Sequence, residues 1–249
     1  MNRRLLSPTA INTYLHCPRK YYLKYIKRLR DRPSIHLLRG LTVHQAIARF
    51  HRLDMTAFPS MEDMQVMLVG FFNEYWQSRQ AGLDRLGLPE AVIKRFYIES
   101  KDMLRGWIAR YLDSPITGLD SPKTEVKIIS KTHGVMGVID AIHDYDGRIA
   151  LVDYKTSFKD DITPAIKVQL AIYALLYFER YRVRPDIVAV DFLKTQTQRR
   201  FRATERLIQY AKDLCSDMYK KTASTREADY PCTCGGWCRK DFITQNGGR

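Results

Sequence analysis

"GVIDAIHDYDGRIALVDYKTS", residues 137–157, is the stretch on which the fold turns. Two runs rich in Val, Ile and Ala flank Asp146-Gly147. Asp-Gly between alternating runs predicts a β-hairpin closed by a two-residue type I′ turn. In that turn Tyr145 faces Arg148, and each outward step pairs one residue earlier with one residue later. Asp140 then falls opposite Asp153. Directly opposed side chains share a face, with Cβ atoms about 4.5–5.5 Å apart. Two carboxylates at that distance repel unless positive charge lies between them. A hard divalent cation held by oxygen ligands, Mg²⁺ or Mn²⁺, meets the need. Lys155, two residues beyond Asp153 and on the same strand face, offers a salt bridge instead, but one lysine balances only one carboxylate.

Working outward, "KTEVKIIS" (123–130) precedes the hairpin as a further strand, and Thr163-Pro164 opens a helix over 164–181. "DIVAVDFLK" and "RRFRAT" read as strands, and "ERLIQYAKDLCSDMYKK" as a helix. Upstream, Ser7-Pro8 starts a short helix, and Cys17, preceding Pro18, is biased out of helical conformation. "RKYYLKYIKRL" and "LLRGLTVHQAIARFHRL" have helical spacing, and 61–113 is mostly helical with a break at "GLDRLGLPE". This order predicts an α/β fold, a mixed central sheet with helices packed on it. It divides into a mostly helical part at 1–118, a core at 119–222 and a cysteine-rich tail at 223–249. Cysteines near both ends suggest one closed unit rather than two domains.

The chain has 249 residues, with 41 Lys and Arg against 27 Asp and Glu, a formal net charge of +14. Such an excess favours a polyanionic partner, most simply nucleic acid. No apolar run approaches the roughly 20 residues of a membrane span, and "MNRRLLSPTA" lacks the apolar core of a secretory signal, so the expected compartment is the cytoplasm. Basic and aromatic residues interleave in "RKYYLKYIKRLR". That pattern suits a single-strand groove with stacking positions, and equally an amphipathic helix whose tyrosines face a core. Glu125, in "KTEVKI", could project towards the site from a neighbouring strand, but a solvated strand face is the better reading.

A carboxylate in "GVIDAI" followed by Asp-x-Lys in "VDYKTS" resembles the PD-(D/E)xK nuclease signature. Together with "QLAIY" (169–173), His44 in "RGLTVHQAI" and "SPTAINTYLHCPRKYYLKYI", the set resembles the RecB-like nucleases. These include the RecB and AddB nuclease domains and CRISPR-associated RecB-like exonucleases. The resemblance covers most of the chain, with 55–115 alike only in general character. It implies a metal-dependent DNA nuclease, an exonuclease acting on free or single-stranded ends in recombination, repair or CRISPR adaptation. Its partners would be DNA and the proteins of such a complex. His44, Asp140, Asp153 and the Tyr154 carbonyl would hold Mg²⁺ or Mn²⁺. Lys155 would orient or help deprotonate the attacking water, and Gln169 and Tyr173 would contact DNA or support Lys155. A non-catalytic DNA-binding subunit is the alternative, because a fold does not by itself establish activity.

Cys17 near one end and "CTCGGWC" (Cys232, Cys234, Cys238) near the other match the family members that carry one cysteine before the nuclease motifs and three after. This implies a 4Fe–4S cluster on Cys17, Cys232, Cys234 and Cys238. The spacing is Cys-x-Cys-x3-Cys where many members have Cys-x2-Cys-x5-Cys, and Thr244 stands where a last cysteine is expected. Zn²⁺ on four thiolates is the other reading. Cys215, within an amphipathic helix, is expected to be a buried structural thiol.

Overall fold

The computed structural model describes residues 4–54, 57–58, 60–113 and 122–242. Thr244 and the expected boundary at 118/119 lie outside them. Helix α1 (Pro8–His16) starts as its sequence requires. Ser7 Oγ accepts the Ala10 N–H at 3.1 Å and Pro8 occupies the first turn. Cys17 is extended and ends it. Helix α2 (Pro18–Tyr21) runs directly into a π-helical turn, Tyr22–Ile26. Helices α3 (Ile35–Phe50), α4 (Met61–Gln77), α5 (Gln80–Asp84) and α6 (Glu90–Asp113) follow. Next come strands β1 (Lys123–Ser130), β2 (Val135–Tyr145) and β3 (Arg148–Lys155), helix α7 (Pro164–Tyr181), strands β4 (Ile187–Phe192) and β5 (Thr197–Arg202), and helix α8 (Glu205–Lys221).

The five strands form one mixed sheet in the order β1-β2-β3-β4-β5. Only β3 and β4 are parallel, and α7 is the crossover between them. One face packs against α7, α1 and α8 through residues such as Ile139, Leu151, Leu175, Val190 and Ile208. The other packs against α3, α4 and α6, where Val43, Phe50, Phe72 and Trp107 meet Ala141, Val152 and Tyr154.

The hairpin turn has positive φ at both Asp146 (52°) and Gly147 (82°), as a type I′ turn demands. The expected register holds from Tyr145↔Arg148 to Ala141↔Val152. There the β2–β3 ladder stops, one step short of Asp140 and Asp153. Asp140 Oδ2 instead accepts the N–H of Tyr154 at 2.8 Å. The sheet therefore forks: below Ala141, β2 leaves β3, staying paired with β1 and bridging to Leu6 at Val135. The fork coincides with an irregularity in β1–β2. Thr124↔Ala141 and Val126↔Ile139 are paired, but Glu125 and Asp140 between them are not, and Glu125 has φ 52°. Ile139 and Ile142 join the α7-side core while Ala141 joins the other. Three residues spanning a same-face repeat mark a local break in strand alternation, with no residue inserted on either strand, and the break re-aims side chains.

The tyrosines of "RKYYLKYIKRLR" do not form a stacking groove. Tyr21 and Tyr22 are buried, and Tyr21 stacks on Tyr230 of the C-terminal segment with centroids 6.1 Å apart. Four of the six interleaved cations are paired: Lys20 with Asp241 at 2.7 Å, Lys24 with Asp31, Lys27 with Glu227 at 3.3 Å, and Arg19 with Glu227. Packing of the chain ends against each other outcompetes the groove.

At Gly137, side chains of α7 press directly on the β2 backbone. A Cβ there would lie 2.9 Å from Leu176 Cδ1 and 3.2 Å from Tyr173 Cε1. Overfilling a packed contact costs about 1–3 kcal/mol. Gly137→Val is therefore expected to lower the denaturant midpoint by that order, as read by chemical unfolding, and a midpoint at or above wild type would contradict the close approach.

Candidate active site

Burial alone would push a carboxyl group towards its neutral form. Asp153 is 2 % exposed and Asp140 is 9 % exposed, so what surrounds each decides its charge. Burial raises Asp153 to about 6, with Asp140 adding to the rise and Lys155 opposing it. Asp140 is also pushed up by burial. His44, the Tyr154 N–H and Lys155 outweigh this, and the carboxyl sits below the ordinary range. His44 reaches the site from α3, with Nδ1 3.3 Å from Asp140 Oδ1. Burial pulls its pKa down, but the charges of Asp140 and Asp153 pull harder and the net shift is upward. The two carboxylates thus favour the protonated imidazole, with which a metal at Nδ1 would compete.

Lys155 Nζ lies 2.8 Å from Asp153 Oδ2 and donates to Gln169 Oε1 at 2.8 Å. The Gln169 amide nitrogen donates to Asp153 Oδ1 at 2.6 Å and to Tyr173 Oη at 2.8 Å. Every polar group of Gln169 is engaged, and a flipped amide would set NH₂ against an ammonium and oxygen against a carboxylate. The i, i+4 pair on α7 thus fixes Lys155 and Asp153 relative to each other. Burial, then Asp153, holds the Tyr173 hydroxyl well above its usual pKa, so it stays protonated. Tyr154 is pinned from behind: its hydroxyl lies 3.2 Å from Nε2 of buried His51, which burial keeps neutral at physiological pH.

Two features suit a divalent cation. Ligand atoms of His44, Glu125 and Asp140 all lie within 4.8 Å of one another. Asp153 Oδ2 is sealed from solvent and paired with the Lys155 ammonium at 2.8 Å. A buried carboxylate oxygen beside a nitrogen-and-oxygen cluster fits a hard metal's donor set. Glu125 corrects the sequence reading. Its residue surface is exposed, but its carboxylate turns to the cluster, and burial followed by Asp140 raises its pKa. Strand alternation hides this because the left-handed φ at Glu125 breaks the alternation locally. Asp153 stands apart from the three-residue group, held by Lys155 and Gln169.

A second group lies at the chain ends, where the sulfurs of Cys17, Cys232, Cys234 and Cys238 are all within 4.8 Å of one another. Cys215 is not among them. It is buried on α8, and burial raises its thiol to about 11.

The PD-(D/E)XK nuclease superfamily model matches residues 5–240, and the chain belongs to that superfamily. Among solved structures, the chain is similar to a protein from Eubacterium rectale titled "Putative exonuclease". The TM-score is 0.58 and the identity 14 %, with 100 % of this chain and 92 % of that one covered. At that identity the likeness speaks to the fold. No curated protein matches the chain.

The buried carboxylate has a measurable consequence. Folding raises the Asp153 pKa from the ordinary 3.8 to about 6. Between those values the folded state holds a proton that the unfolded state has released, so the group destabilises the metal-free fold as pH rises through this window. Asp153→Asn is expected to raise metal-free stability at pH 7 by on the order of 1–3 kcal/mol, with the gain fading as pH falls towards 4. Unfolding curves of both proteins across pH check this, and a variant less stable at pH 7 than at pH 4 relative to wild type would contradict it.

Proposed function

We propose that the protein is a Mg²⁺- or Mn²⁺-dependent deoxyribonuclease, one nuclease unit that hydrolyses phosphodiester bonds from free or single-stranded DNA ends. The observation that carries this reading is the placement of Lys155 Nζ, 2.8 Å from both Asp153 Oδ2 and Gln169 Oε1, beside the His44–Glu125–Asp140 cluster. Asp140, Asp153, His44 and Glu125, with the Tyr154 carbonyl, would hold the cation, which when bound lowers the pKa of water and offsets charge on the phosphate. The chain supplies the rest. Lys155 carries a proton at Nζ and donates towards a phosphate oxygen while orienting the attacking water. Gln169 keeps that ammonium on the axis of the site through its bond to Asp153, so Gln169 is a positioning residue. Tyr173 fixes Gln169 in turn. Groups aimed in advance at developing charge need no reorganisation during reaction. The exonuclease title of the similar E. rectale structure supports end-directed cleavage, and the net charge of +14 supports a nucleic-acid substrate.

The test is cleavage of end-labelled linear DNA and of closed circular DNA, with Mg²⁺, with Mn²⁺ and with chelator. Cleavage is expected with metal only and on linear DNA preferentially. Lys155→Met is expected to lower the rate by about 10²–10³-fold and Asp140→Asn to abolish it, each with DNA binding retained. Full activity in Asp140→Asn would sink the assignment, and binding without cleavage by the wild type would favour a non-catalytic subunit. DNA affinity is expected to fall steeply with salt, the slope approaching about −0.9 per phosphate neutralised on duplex. An affinity unchanged by salt would leave the charge excess to solubility alone.

A further inference from the structure

The size of the sulfur cage at the chain ends bears on what it can hold. Cys232 Sγ lies 3.7 Å from both Cys234 Sγ and Cys238 Sγ. With Cys17, no pair among the four sulfurs exceeds 4.8 Å. A cuboidal 4Fe–4S cluster carries one thiolate on the outer side of each iron, which spreads the sulfurs to roughly 6 Å apart. The cage is too small for it. Four thiolates about 2.3 Å from one tetrahedral ion have edges of about 3.8 Å, close to the two edges measured. The implied iron–sulfur cluster therefore does not fit these residues, whereas a single ion does.

The backbone sets the small cage. Three of the cysteines lie within residues 232–238. Gly235 and Gly236 both take positive φ, 61° and 86°, and fold the segment back on itself. The Gly236 N–H points to Cys232 Sγ at 3.3 Å and the Cys238 N–H to Cys234 Sγ at 3.1 Å. Backbone donors thus hold two of the sulfurs in place. Cys17 closes the cage from the α1–α2 junction, fully buried, and the two ends are clasped around it. Arg19 N–H donates to the Pro231 carbonyl at 3.2 Å, and Thr233 Oγ1 donates to the His16 carbonyl at 3.0 Å.

We infer that Cys17, Cys232, Cys234 and Cys238 form a closed structural site for one Zn²⁺, a clasp joining the two ends of the chain. All four positions of the ion are filled by thiolate, the pattern of structural rather than catalytic zinc. The inference concerns metal identity alone and stands apart from the nuclease reading.

The experiment is metal analysis of the full chain, purified without oxygen from cells supplied with both iron and zinc, with a visible spectrum of the same sample. One zinc per chain and no colour are expected, together with intense sulfur-to-metal bands after exchange with Co²⁺. A brown protein with about four irons per chain, bleached by dithionite, would overturn the inference while keeping a metal clasp. A single bound iron would overturn the zinc assignment in the same way. Absence of metal, with no uptake of added Zn²⁺ in competition with a chromophoric chelator, would overturn the clasp altogether. Cys17→Ser is expected to lose most of its zinc and to melt lower, whereas Cys215→Ala keeps one zinc per chain. Full zinc retention in Cys17→Ser would overturn the two-ended ligand set. Mg²⁺-dependent cleavage, assayed separately on the same preparations, reports on the nuclease reading independently.

Discussion

Two carboxylates taken out of water where the sheet forks are the constraint around which this molecule is arranged. Paired across a continuous ladder, Asp140 and Asp153 would repel at close range. The ladder ends instead, and Asp140 takes the Tyr154 N–H in place of the missing strand bond. That bond, with His44, keeps Asp140 ionised, while Asp153 is pushed the other way by deeper burial. Paired groups with pKa values driven apart are a recurring property of functional sites. The neighbouring elements answer the same constraint: α3 brings His44, the kinked β1 brings Glu125, and α7 brings Gln169 and Tyr173. Gly137 lets α7 approach closely enough for the last two to reach.

The arrangement is unfavourable to stability by itself. Asp153 Oδ2 is buried with the Lys155 ammonium 2.8 Å away, and a raised carboxyl pKa means that the folded state still resists ionising it. In the proposed reading a divalent cation offsets this. Lys155 cannot do so alone, because its ammonium is shared with Gln169 and must stay available at the open side of the site, where its side chain is 27 % exposed.

Much of this was legible in the residues. Asp-Gly between alternating runs gave the hairpin and its register, Thr163-Pro164 gave the start of α7, and the i, i+4 spacing of Gln169 and Tyr173 placed both on one helix face. What escaped were local departures from period-two geometry. A non-glycine residue at positive φ carries no compositional mark, so Glu125 read as surface and the ladder seemed to continue through Asp140. The tyrosines of "RKYYLKYIKRLR" fit two environments equally by pattern. What decided between them was Tyr230, more than two hundred residues away in sequence, a tertiary contact that no local window contains. The cysteine set was legible as four ligands, but the cage dimension that separates one ion from a cluster exists only in three dimensions.

The most direct test of the central claim, that the forked sheet is built to hold a divalent cation between Asp140 and Asp153, is anomalous diffraction from a crystal of the protein grown with Mn²⁺. The expected result is a manganese peak within bonding distance of both carboxylates and of His44, with the Asp153–Lys155 contact loosened and Glu125 still facing the ion. A peak elsewhere on the molecule, or an unchanged Asp153–Lys155 pair with no manganese beside it, would contradict the claim and leave the buried carboxylates as a salt-bridged structural feature.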